Sequence, residues 1–229
     1  ARAGSGMGRI STREKPRIRN TGMKAGLVIF LHGVGSQGAA FSPLLAQWRA
    51  DLPLVAFSSP DAPFPFDLAP CGRQWFSVKG VTETNRAERI VAAREAFDAT
   101  LRACIAEAGF ENRLDRVVLV GFSQGSIMAL DAVVSGRWPV AGIVAFSGRL
   151  ASPAPYTPTQ HVPIFLVHGD ADPVMPVQEA SKAEETLTRL GLTVTCDILP
   201  SVGHTLTAAG AVRALNFVQT ILLPEAPQS

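Results

Sequence analysis

The chain has 229 residues, 47% of them apolar and 17% charged, enough to bury a sizeable core in one ordinary domain or at most two small ones. Its net charge of +2 is unevenly spread: residues 1–24 hold seven basic residues against Glu14, a local +6, and the other 205 residues carry −4. A mildly acidic body excludes nucleic acid as the expected partner, no run of 18 apolar residues provides an integral membrane segment, and the basic head lacks the apolar stretch of a secretory signal.

Taken in chain order, residues 1–24 open with ARAGSGMGRIS, Gly- and Ser-rich and without apolar period. This composition is expected of a disordered leader or expression remnant. The domain proper is expected over 25–222, with 223–229 as a short tail. Strand-like apolar runs fall at 26–31, 53–57, 116–121, 141–146, 163–168 and 193–199. Most are continuous, as expected where a parallel sheet is covered on both faces. Helical stretches lie between them, near 40–50, 82–108, 124–135, 177–190 and 205–222. In the longest, Ile90, Phe97, Leu101, Cys104 and Ala108 make an apolar stripe, Glu95, Asp98, Arg102 and Glu107 take the other side, and Gly109 supplies the stop. The alternation predicts an α/β domain with right-handed crossovers. Cys71, Cys104 and Cys196 share no metal or redox spacing, which fits a reducing, cytoplasmic setting.

Two connections are long. Residues 58–80 hold four prolines and four aromatics and show neither period, and loops of this length in a compact domain tend to be functional. The segment 149–162 is also Pro-rich, but nothing in its sequence points to chemistry.

The first strand ends in His32 and is followed by Gly33-Val34-Gly35-Ser36-Gln37-Gly38. Literally this is G-x-G-x-x-G, which seats a dinucleotide pyrophosphate on a helix N-terminus. That reading requires an acidic residue ending the second strand. Phe57-Ser58-Ser59 stands there instead, with Asp51 too early and Asp61 beyond. The competing reading is one half of an oxyanion hole, and it requires only one backbone N–H aimed at a nucleophile.

That nucleophile is found in VVLVGFSQGSIMAL. Gly121-Phe122-Ser123-Gln124-Gly125 places a G-x-S-x-G between a predicted strand and a predicted helix, the context in which a tight turn exposes the serine Oγ. Serine needs a base, and the base needs an orienting acid. In this fold class the chain order is serine, acid, histidine. His204, in a loop after the last strand, meets that order, whereas His161 and His168 come too early. The acid lies in HGDADPVMP, where Asp170 and Asp172 both qualify. Turn chemistry favours Asp172 as the partner and Asp170 as a turn cap. His32 and His168 end apolar strands and are expected to be structural. The four histidines show no metal-ligand spacing, so no metal is expected. Val34 N–H and Gln124 N–H are the expected oxyanion donors, and no cofactor is expected.

With these residues in hand, the chain resembles the small carboxylesterase/phospholipase family of α/β-hydrolases, which includes the acyl-protein thioesterases. The resemblance rests on FLHGVGS (30–36), PDAPFPF with GRQWFS (60–66 and 72–77), GFSQGS (121–126), HGDADPVMP (168–176) and Gly203-His204. It implies a mostly parallel sheet with helices on both faces and no cap domain. It also implies Ser123 as nucleophile, Asp172 as orienting acid, His204 as base, and a loop around Trp75 and Phe76 lining the acyl site. Cys71 and the Pro-rich stretch before it depart from the thioesterase members and pull toward the bacterial esterases. The expected substrate is a small-molecule ester of short to medium acyl chain. Acyl-protein thioesterase or lysophospholipase activity is the alternative, and a non-catalytic ligand-binding relative a further one. The oligomeric state stays open, a homodimer included.

Overall fold

Eight strands and five α-helices make up the chain in a computed structural model that describes residues 24–159 and 161–223. The expected leader, apart from Lys24, and the expected tail, apart from Leu223, lie outside the described residues. The strands are β1 (Gly26–Leu31), β2 (Val55–Ser58), β3 (Phe64–Pro65), β4 (Arg73–Gln74), β5 (Val117–Phe122), β6 (Gly142–Phe146), β7 (Ile164–Gly169) and β8 (Val194–Leu199). The helices are α1 (Ser42–Asp51), α2 (Arg86–Ala108), α3 (Gln124–Val134), α4 (Gln178–Arg189) and α5 (Ala208–Leu222).

Six strands form one parallel sheet in the order β2-β1-β5-β6-β7-β8. The alternation of side chains feeds two cores. Leu27, Ile29 and Leu31 face the layer of α2, α3 and α4, while Val28 and Phe30 face α1 and α5. Continuous apolar runs follow from this double covering, and each fully buried large side chain contributes about 2 kcal/mol. The edge strand β8 is covered less, and Ile198 is exposed. Chain order reverses between β1 and β5, because β2 lies on one side of β1 and every later strand of the sheet on the other. Crevices at the carboxyl ends of strands open at such a reversal, and the loops carrying Val34 and Ser123 both leave the sheet there.

Helix boundaries moved where local hydrogen bonds outcompete the helix. Residues 82–85 close a turn of their own: Thr82 N–H donates to Asn85 Oδ1, and Asn85 N–H to Thr82 Oγ1, so α2 starts at Arg86. Thr207 Oγ1 accepts the Gly210 N–H, which delays α5 to Ala208 and leaves Thr205 and Leu206 in the loop with His204. Gly109 ends α2 with φ 75°.

Two expectations are corrected. Asp98 is buried rather than on the solvent side of α2, because Arg137 and the Trp138 indole N–H both bond its carboxylate. The 58–80 loop contains a short antiparallel ribbon, β3 with β4, too brief to show any period. Arg73 secures it by donating to the carbonyls of Ala62 and Pro63 at 2.8 and 2.7 Å.

Helix α3, which follows Ser123, is buried along its whole length. Its one ionised side chain, Asp131, is fully withdrawn from water and takes two hydrogen bonds from Arg94, at 3.0 and 2.8 Å, and one from Arg137 at 2.9 Å. Burial pushes the Asp131 pKa up, but Arg94, Ser152 and Arg137 together outweigh it and hold the carboxyl below its ordinary value. The network ties α2 to α3 and so fixes the helix behind the serine.

Candidate active site

Ser123 sits at φ 51° and ψ −114° between β5 and α3, a conformation that L residues adopt only under constraint. The constraint is packing on both sides. A Cβ on Gly125 would lie 2.0 Å from the Leu31 carbonyl oxygen, and one on Gly121 would lie 2.5 Å from the Ser126 nitrogen. Strand, turn and helix can approach this closely only with glycine at both places. Ser123 N–H donates to the Phe146 carbonyl at 2.9 Å, which pins the turn to β6.

The three residues singled out by chain order and turn chemistry meet here. His204 Nε2 lies 2.9 Å from Ser123 Oγ, and His204 Nδ1 lies 2.7 Å from Asp172 Oδ2. The other oxygen of Asp172 accepts the backbone N–H groups of Val174 and Met175 at 2.9 and 2.8 Å. Burial pushes the Asp172 pKa up; the hydrogen bonds from Met175, His204 and Val174 outweigh this and hold it below the ordinary carboxylate value. Asp170 points elsewhere and accepts the Ser201 N–H at 2.6 Å, capping the turn after β8.

The 33–38 loop is held from the side of the ribbon. Gly35 N–H donates to the Arg73 carbonyl and Arg73 N–H to the Ser36 carbonyl, both at 2.8 Å, while Gly38 N–H donates to Asp61 Oδ1. His32 is buried, and burial lowers its pKa. Its Nε2 accepts the Ala62 N–H at 2.9 Å, which leaves Nδ1 to donate to the Gly33 carbonyl at 2.7 Å. Among the described residues the Val34 N–H meets no protein acceptor, and Gln124, first in α3, has no acceptor within its helix. Both residues line one cavity with Ser123.

A family model described as Phospholipase/Carboxylesterase matches residues 15–222. The chain belongs to that family. Among curated relatives, Esterase YpfH of Escherichia coli is 37% identical over 179 residues, covering 78% of this chain and 75% of its own length. Acyl-protein thioesterase 1 of Neurospora crassa is 28% identical over 219 residues, covering 88% and 87%. The crystal structure of esterase PE8 matches with a TM-score of 0.80 at 32% identity, over 87% of this chain and 94% of that one. This phospholipase/carboxylesterase family member is a serine hydrolase with the α/β-hydrolase fold. Among its described residues no helix is long and apolar enough to cross a membrane.

One expectation about the site is overturned. Trp75 does not line a cavity; it is completely buried, donates its indole N–H to the His32 carbonyl at 2.8 Å, and sets its ring edge-on to Phe97. The reason lies in Gln124, whose side-chain carbonyl takes the Trp75 N–H and whose amide donates to the Phe76 carbonyl, both at 2.7 Å. With the backbone held in this way, successive side chains point oppositely. Trp75 turns into the core and Phe76 to the cavity at Ser123. Phe64 lines a separate space behind Phe76, and Phe66 covers Gly35.

Two openings flank the serine. A groove of about 380 Å³ is lined by His204, Thr205, Leu206, Phe41 and Phe122. A smaller cavity of about 180 Å³ is lined by Ser123, Val34, Gln124 and Phe76, together with Arg86 and Arg149. Neither arginine is distinguishable in the sequence. Arg149 opens the Pro-rich segment that offered no local sign of chemistry, and Arg86 reads as an ordinary solvent-facing helix residue.

Proposed function

We propose that this chain is a carboxylesterase for esters of short acyl chain, acting through an acyl-enzyme. The hydrogen-bond chain from Ser123 through His204 to Asp172 carries the reading. In the first step His204 Nε2 takes the Ser123 proton as Oγ bonds to the ester carbonyl carbon. The resulting oxyanion is held by the N–H groups of Val34 and Gln124. His204 returns the proton to the leaving oxygen as the carbon–oxygen bond breaks and the alcohol departs. Water then repeats the sequence on the acyl-enzyme, releasing the acid and restoring the serine. Asp172 holds the imidazole tautomer and stabilises its charged form.

This proton path supports an assignment of the two openings. The leaving group must receive its proton from His204, so it occupies the groove lined by His204, and the acyl part takes the cavity lined by Ser123 and both oxyanion donors. At about 180 Å³ that cavity lies below the roughly 300–1,000 Å³ usual for ligand pockets, which supports short acyl groups.

The test is turnover of ethyl esters from acetate to octanoate, beside the matching thioesters, with organophosphonate labelling of the same preparation. The expected result is labelling that Ser123→Ala abolishes and a maximum at short chain length for oxygen esters. A preference for long-chain thioesters would replace this substrate reading, and an unlabelled wild type would point to a ligand-binding relative.

A further inference from the structure

The cavity at Ser123 has a cationic end. Val34, Phe76 and Val174 make its walls apolar, yet Arg86, at the start of α2, and Arg149, just beyond β6, both line it. Their side chains are only 16% and 12% exposed. A cation withdrawn from water this far requires an anion close by.

The anion that both arginines share is an exposed carboxylate. Glu83 Oε1 lies 2.7 Å from Arg86 Nη1 and 3.1 Å from Arg149 Nη1, while the Glu83 side chain itself is 79% exposed. Arg86 first, and then Arg149, hold the Glu83 carboxyl below its ordinary pKa against a small opposing effect of burial. On its other side Arg149 Nε faces Met175 Sδ at 2.8 Å and Glu179 Oε2 at 3.7 Å, which fixes the plane of its guanidinium. Among the described residues the Nη2 groups of Arg86 and Arg149 have no protein acceptor. The cations are thus buried and oriented, but the counter-ion they share is not, and of the two arginines the half-buried Glu179 faces Arg149 alone. Glu83 returns to water at little cost, because exposed ion pairs are weak. An anion arriving through the cavity would meet two guanidiniums already desolvated, with free N–H groups in the fork geometry that suits a carboxylate.

We propose that Arg86 and Arg149 form a subsite for the far end of the acyl group, selecting half-esters whose acyl part carries a second carboxylate. The proposal rests on the esterase reading above and deepens it. Glu83 is then the placeholder that the substrate carboxylate displaces. The cavity of about 180 Å³ is roughly six times the ~30 Å³ share of one liquid water, which limits the acyl part to about four to six carbons.

The experiment compares monoethyl succinate, glutarate and adipate with ethyl butanoate, pentanoate and hexanoate, following ethanol release. Ethyl esters are chosen because a free carboxylate attacks its own aryl ester without any enzyme. The readout is the ratio of kcat/KM for each anionic ester to that of its neutral counterpart. At the best-fitting length the ratio is expected to exceed about ten in the wild type, as befits a charge-assisted pair in a partly desolvated site. Arg149→Met is expected to lower it about tenfold, Arg86→Met to lower it, and Glu83→Gln to raise it. Should Arg149→Met not fold, Arg86→Met and Glu83→Gln carry the same ratio test. A ratio below ten at every length, or one that survives the arginine substitutions, overturns the subsite. If the neutral esters are still turned over in that case, the esterase reading stands without it. If neither series is turned over, both fall.

Discussion

Gln124 grips Trp75: the side-chain carbonyl of one accepts the backbone N–H of the other at 2.7 Å, and the Gln124 amide closes the clamp on the Phe76 carbonyl. The residue that follows the serine therefore has two tasks. Its backbone N–H is the proposed oxyanion donor, and its side chain acts as a short strand partner for the segment that forms the cavity wall. Gln124→Ala keeps the first and removes the second, leaving two buried backbone groups unpaired. A loss of about 2 kcal/mol in chemical denaturation is expected, with KM for short esters raised by a larger factor than kcat is lowered.

The Asp172 carboxylate predicts an unequal set of triad variants. One oxygen is already committed to the N–H groups of Val174 and Met175. In Asp172→Asn the amide oxygen takes that place and the NH₂ turns to His204 Nδ1. The imidazole must then carry its proton on Nε2, where it cannot accept one from Ser123. Turnover should fall on the order of 10⁴ in Asp172→Asn, against roughly 10⁶ in Ser123→Ala or His204→Ala, measured as kcat on one short ester.

Phe76 separates the cavity at Ser123 from a second space of about 430 Å³ bounded by Phe64, Gln74, Ser77 and Arg89. Phe76→Ala joins the two. The kcat/KM ratio of octanoate to butanoate esters should rise about tenfold, since each added methylene finds apolar surface instead of a ring.

Asp131 predicts a stability change without an active-site role. Asp131→Asn leaves two part-buried guanidiniums without their shared carboxylate and should cost about 3 kcal/mol in urea unfolding near neutral pH. The sign with pH follows from a folded-state pKa held below the unfolded value of about 3.9. The wild-type contribution is complete above that value and is lost as pH falls through the lower folded pKa. The gap between wild type and variant should therefore narrow in strong acid and stay constant above about pH 5, as unfolding curves collected across pH would show.

Much of this architecture is local in origin and was legible in the chain itself. The continuous apolar runs of β1 and β5, the stripe along α2 and the glycines around Ser123 each occupy one short stretch of sequence, so their type and order could be read directly. The serine turn was recognisable for the same reason, since strand, tight turn and helix lie within fourteen residues. Other features depend on groups far apart in sequence. Asp170 and Asp172 are chemically alike and two residues apart; turn chemistry only favoured one as the cap, and the position of the turn after β8 engages it there and brings the other to His204. Trp75 and Phe76 are both large and aromatic, and a hydrogen bond from a residue 49 positions away decides which is core and which is wall. Arg86, Arg149 and Glu83 carry no local signature, because a charged side chain on a helix or loop looks the same whether it meets water or a cavity. Periodicity reports which face of an element is apolar, while the pairing of polar groups is settled only when the folded chain brings donors and acceptors within reach.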